Sequence, residues 1–112
     1  MNESLDRTFA ALADPTRRAI LLRLANGEAS VGELADPFPM SQPAISRHLR
    51  VLEDAGLIES HRTGQSRPRR LRPHAIAPAR DFIQDMARYW PDSFDRLQQF
   101  LDDTHPEQEP GR

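Results

Sequence analysis

Ser41, Gln42, Ser46, Arg47, His48 and Arg50 lie close together in the stretch SQPAISRHLRVLEDAGLI, from Ser41 to Ile58, and every one of them can hydrogen-bond to a partner. On a helix turning about 100° per residue, Ile45, Leu49 and Leu52 share one stripe, while Arg47 and Arg50 project from the opposite side. A guanidinium can grip guanine through two hydrogen bonds or clamp a phosphate, so a helix with this layout suits the major groove of duplex DNA. The plainer alternative is a charged face turned to solvent. Gln42 and Ser46 sit between the two faces, where capping or packing competes with base contact. His48 projects about 60° from Ile45, beside the apolar stripe, and so either reaches DNA or packs at the boundary.

The flanking residues predict how that helix is held. Ser41 is its N-cap, Pro43 falls in the first turn where a missing N–H costs nothing, and the helix runs to Asp54. Gly56 suits the left-handed position beyond its end, with Leu57 closing back onto it. Upstream, Leu5, Phe9 and Leu12 mark a first helix over Glu3 to Leu12. Asp14-Pro15 restarts the chain into a second helix that ends near Ala25 and buries Ile20 and Leu24. Ser30 and Glu33 match a capping box for a short third helix, Val31 to about Asp36, with Val31, Leu34 and Ala35 inward and Pro37 and Pro39 beyond it. Two helices joined by a tight turn form the helix-turn-helix plan.

Downstream, Ile58 to Arg62 and Arg69 to Arg72 are predicted strands around Thr63-Gly64-Gln65-Ser66, with Pro68 keeping the second one short or at an edge. From Pro78 to Asp102, Ile83, Met86, Trp90, Phe94, Leu97 and Leu101 recur at a mean step near 3.5, the spacing of a helix–helix seam. Pro91 predicts a kink or a break into two helices. The fold class is mainly α with a small β-hairpin. Residues 1–102 are expected to form one domain, and 103–112 a disordered acidic tail.

A chain of 112 residues that is only 38% hydrophobic has a small core, so a partner subunit would help bury apolar surface. It contains no cysteine, which excludes disulfides, thiolate metal sites and thiol switches. No apolar run approaches the roughly 20 residues of a membrane span and the first residues lack a signal pattern, so a cytoplasmic protein is expected. The net charge of −2 hides a segregation. Residues 41–72 carry seven arginines against three acids, a net of +4, whereas residues 73–112 carry four arginines against eight acids. All basic residues are arginine, from which nothing functional follows.

The order of these elements, with ALADPTRRAILLRL, VGELA, SQPAISRHLRVLEDAGLI and YWPDSFDRLQQFL, resembles the ArsR-type winged helix-turn-helix repressors over nearly the whole chain. The resemblance implies a homodimer that dimerises through its terminal helices, here Leu5, Phe9 and the stripe Ile83, Met86, Trp90, Phe94, Leu97 and Leu101. It further implies a double-stranded DNA operator contacted by Ser41, Gln42, Ser46, Arg47 and His48, with Arg67, Arg69 and Arg70 in the wing. Arg50 joins this set on its outward position alone. The wing arginines could instead keep a strand edge soluble.

Many members of this family sense metals, but the VGELADPF segment has no thiols and Phe82 to Leu101 has no histidine. Asp81 and Asp85, one turn apart, could share a hard cation or simply be a solvated acidic face. His61, His74 and His105 show no metal-binding spacing. No metal and no cofactor is expected, and control by an unidentified small molecule or protein stays open. The Trp90 stripe could line a ligand pocket, although interface packing accounts for it as well. A protein-interaction module without DNA is the competing function. An enzyme has no support from a phosphate loop, a nucleophile elbow or a histidine–carboxylate pair.

Overall fold

Side-chain caps start the helices of the amino-terminal part of the chain. The computed structural model describes residues 2–104, apart from the side chains of residues 91–95 and 104. Contacts divide the chain into two units, residues 1–79 and 80–112. The first contains α1 (Glu3–Leu12), α2 (Pro15–Leu24), α3 (Val31–Ala35), α4 (Gln42–Asp54), β1 (Ile58–Ser60), β2 (Arg69–Leu71) and the start of α5 (Ala77–Ala87). Asn2, Asp14, Ser30 and Ser41 each accept an N–H of the following helix, from Leu5, Arg17, Glu33 and Ala44 at 3.1 to 3.3 Å. At α3 the box is reciprocal, since the Ser30 N–H donates to Glu33 Oε1 at 2.8 Å.

The end of α4 is set by Gly56, whose φ of +77° disfavours any side chain. Its N–H donates to the Glu53 carbonyl at 2.9 Å and that of Leu57 to the Leu52 carbonyl at 3.0 Å, the paired bonds of a Schellman end. The inward stripe of α4 is fully buried: Ile45, Leu49 and Leu52 are each 0% exposed. They join Ala11, Ile20, Leu24, Leu34, Leu57 and Ile58 in one core. Full burial of such a side chain contributes about 1.5–3 kcal/mol, so these three residues keep that side of α4 against the core. Of the expected inward residues of α3, Leu34 is buried, whereas Val31 and Ala35 are half-buried at the edge of the core.

The hairpin is shorter than the sequence suggests. β1 and β2 pair antiparallel over three residues each, Ile58 with Leu71, Glu59 with Arg70 and Ser60 with Arg69. Pro68 offers no N–H, so beyond Ser60 the ladder continues only through the His61 N–H to the Pro68 carbonyl at 3.2 Å. Thr63 and Ser66 exchange two hydrogen bonds of 2.9 Å around the turn. The outer side of β2 also bonds to the segment after α2, where Ala29 and Arg69 exchange bonds of 2.8 and 3.0 Å.

The second unit holds the rest of α5 and α6 (Pro91–Thr104). Of the two outcomes expected at Pro91, the break into two helices is the one found. Arg88, Tyr89 and Trp90 bond to carbonyls three residues back, and Pro91 starts a new helix where its missing N–H costs nothing. Helical backbone runs through Thr104, two residues past the expected boundary of the tail. Residues 105–112, and with them His105, lie outside the described residues. Ile83, Met86, Trp90, Leu97 and Leu101 are 37% to 56% exposed. The Phe94 side chain lies outside the described residues, while Leu5 and Phe9 on α1 are half-buried. Among the described residues no helix is long and apolar enough to cross a membrane.

Two caps carry a pH signature. The Arg17 N–H holds the Asp14 carboxyl below its ordinary range, and the Ser30 N–H does the same for Glu33. A depressed folded pKa stabilises the fold above the ordinary carboxylate value of about 4, and that gain is lost as pH falls through the folded value. Thermal melts from pH 7 to pH 3 should therefore show the melting temperature falling less steeply in Asp14→Asn combined with Glu33→Gln than in the wild type. Parallel curves would remove both caps from the acid transition.

Candidate nucleic-acid interface

With its apolar stripe buried, α4 turns Gln42, Pro43, Ser46, Arg47 and Arg50 to one shallow concavity of about 420 Å³. Arg47 and Arg50 are exposed, and neither has an ion pair among the described residues. Gln42 lies over the first turn of α3, where a Cβ on Gly32 would stand 3.5 Å from its amide nitrogen. Ser46 is half-buried, and the Ser41 hydroxyl is engaged as the helix cap. His48 occupies the boundary, with Nδ1 3.3 Å from a guanidinium nitrogen of Arg17 and 3.9 Å from the Asp14 carboxylate. Its side chain is 21% exposed, packed at the boundary of α4.

The wing divides its arginines between two jobs. Arg69, expected to face DNA, is turned inward instead: its side chain is 17% exposed, Nε donates to Glu53 Oε2 at 3.0 Å and Nη1 to the Arg67 carbonyl at 2.7 Å. A half-buried guanidinium needs an acceptor for its charge, and Glu53 on α4 is the one its strand position offers. The pair ties β2 to the recognition helix. Arg70 is half-exposed and bonds to Glu59 across the strand pair at 2.9 Å, with Arg72 3.9 Å from the same carboxylate. Arg67 is exposed and, like Arg62, has no ion pair among the described residues. Just beyond the end of β1, His61 Nε2 lies 2.5 Å from Glu28.

Glu53 and Glu59, two of the three acids in the basic stretch, are thus taken up by Arg69, Arg70 and Arg72. Arg47, Arg50, Arg62 and Arg67 keep their charge for solvent or a polyanion. Asp81 and Asp85 pair with Arg80 and Arg88 at 3.2 and 3.1 Å. Among the described residues no three His, Cys, Asp or Glu side chains converge on a point that could hold a metal ion. The apolar hollow of the first unit, about 400 Å³, is lined by Leu12, Leu21, Leu22, Leu57 and Leu71 among others, and not by the Trp90 stripe. Arg17 escaped the sequence reading, because nothing in its spacing shows that it reaches a helix 31 residues on.

A capped, core-anchored helix with an arginine face beside a basic two-stranded wing is the anatomy of a winged helix-turn-helix regulator. A model of the helix-turn-helix domain family matches residues 12–61. The chain is 43% identical over 99 residues to the HTH-type transcriptional regulator Rv2034 of Mycobacterium tuberculosis, covering 88% of this chain and 90% of that one. It is 44% identical over 61 residues to the transcriptional repressor SdpR of Bacillus subtilis, 54% of this chain and 68% of that one. Among solved structures, an ArsR family transcriptional regulator is similar with a TM-score of 0.71 and 39% identity, over 78% of this chain and 96% of that chain. The homodimeric winged helix-turn-helix DNA-binding domain of a possible ArsR-family regulator from Mycobacterium bovis is similar with a TM-score of 0.63 and 30% identity, over 77% and 80%. The chain belongs to the ArsR family of winged helix-turn-helix transcriptional regulators.

Because Arg69 and Glu53 are both mostly shielded, Arg69→Ala leaves a carboxylate without its partner and should destabilise the fold by about 1–3 kcal/mol. Urea denaturation checks this, and a midpoint shift within error would show that the pair contributes nothing.

Proposed function

We propose that this regulator is a homodimeric repressor that occupies a pseudo-palindromic operator in the cytoplasm. Residues 1–102 supply both DNA binding and dimerisation. Each copy sets α4 into a major groove, with the two half-sites about one helical turn, roughly 34 Å, apart. The observation that carries this is the pair of exposed arginines, Arg47 and Arg50, without an ion pair among the described residues and sharing one concavity with Gln42 and Ser46 opposite a fully buried stripe. Arg47 and Arg50 are the base-reading or phosphate-clamping groups, Gln42 and Ser46 flank them, and Arg67 and Arg70 meet the backbone. Ser41, His48 and Arg69 serve as cap, boundary packing and wing tie.

The dimer forms through Leu5, Phe9 and the stripe Ile83, Met86, Trp90, Phe94, Leu97 and Leu101. The exposure of that stripe in a single chain supports it, as does the homodimeric state named for the Mycobacterium bovis neighbour. Repression follows from occupancy, since a dimer spanning two half-sites excludes polymerase from the same duplex. An effector, small molecule or protein, would release it.

Selection of bound sequences from random DNA should return a two-fold symmetric site, with binding that weakens steeply as salt rises. Arg47→Ala should then cost about 1–3 kcal/mol on that site and relax preference at one position per half-site. An equal loss on random duplex would make Arg47 a phosphate contact instead. Ile83→Asp places a charge on the stripe and should convert the dimer to a monomer in analytical ultracentrifugation, with loss of operator binding. A wild-type chain that is monomeric at micromolar concentration would sink the dimer.

A further inference from the structure

Arg17 stands in the first turn of α2, yet its guanidinium reaches two other helices. Nε donates to the Ala11 carbonyl at 2.8 Å and Nη2 to the Ala10 carbonyl at 3.1 Å, which also accepts the Ala13 N–H, so the guanidinium is bound to the last turn of α1. Nη1 lies 3.3 Å from His48 Nδ1 in the middle of α4. The Asp14 side chain fixes the root of this arm by accepting the Arg17 backbone N–H at 3.1 Å. A guanidinium has donors only, so this contact is a hydrogen bond in the tautomer whose ring proton is on Nε2, with Nδ1 accepting. One rigid fork therefore joins the end of α1, the start of α2 and the helix that presents Arg47.

Resting on the DNA-docking role proposed above, we propose that Arg17 is a positioning residue for operator recognition, acting through His48 Nδ1 to set the rotation and depth of α4. The apolar stripe alone leaves α4 free to shift by small slides that keep Ile45, Leu49 and Leu52 covered, because hydrophobic burial is not directional. A hydrogen bond is directional, and His48 is the immediate neighbour of Arg47 in the chain, so the fork converts burial into a defined pose for the arginine face. Lysine cannot replace it, having one nitrogen where three are used.

The test measures affinity for a duplex selected by the wild type and for a random duplex, together with melting temperature, in four variants. Asparagine places its carbonyl oxygen near the position of a histidine Nδ1, whereas glutamine reaches the Nε2 position. His48→Asn should keep selected-duplex affinity close to wild type, while His48→Gln and Arg17→Met should each lose about tenfold on the selected duplex with a much smaller change on random duplex. Equal behaviour of His48→Asn and His48→Gln overturns the proposal, as does a loss of the same factor on both duplexes. If Arg17→Met fails to fold, the His48 pair decides, since neither substitution touches the bonds to α1. Arg47→Ala separates the two levels: a loss there with none in Arg17→Met or His48→Gln rejects only the positioning role. No loss in any variant rejects DNA docking by α4 and the positioning role with it.

Discussion

Complete burial of Ile45, Leu49 and Leu52 is the constraint on which the rest of the molecule depends. With three side chains of one helical stripe at zero exposure, the opposite side of the same helix faces outward, and that side carries Arg47 and Arg50. Ser41 at one end and Gly56 at the other limit the helix to the length over which this geometry holds. The DNA-facing chemistry is thus a by-product of where the core residues fall. A shift of one residue in the apolar spacing would rotate the arginines by about 100°.

Electrostatics then sorts the basic residues that burial has exposed. In the wing, the mostly shielded Arg69 pairs with Glu53, while the half-exposed Arg70 and Arg72 share Glu59. These pairs tie the wing to α4 and across its own strands. Arg47, Arg50, Arg62 and Arg67 have no ion pair among the described residues and retain their field, which is the part a phosphate backbone would meet. The net charge of the whole chain says little about its partner, because acids and bases occupy different segments and some of the acids are engaged in holding the wing in place.

How well the residues disclosed the fold depended on the range of the interaction. Caps at Asp14, Ser30 and Ser41, the Schellman end at Gly56 and the turn at Gly64 are local, involving a few consecutive residues, and each is readable from spacing. The break at Pro91 could be anticipated only as one of two outcomes, since a proline both removes a bond and suits the start of a new helix. The wing came out shorter than its β-forming residues suggest, because Pro68 limits the ladder and the outer edge of Arg69 is claimed by Ala29.

Among the candidate contacts, Arg47 and Arg50 were legible because a single helix determines which way they point. Arg69 was not, and His48 was legible only as one of two alternatives, because their surroundings come from other parts of the chain: Glu53 lies 16 residues from Arg69 and Arg17 lies 31 from His48. Periodicity and capping chemistry are properties of consecutive residues, and they settle where helices begin, end and turn their apolar side. Which cations are neutralised and which stay free depends on distances across the core, and these exist only once the helices and the hairpin have packed.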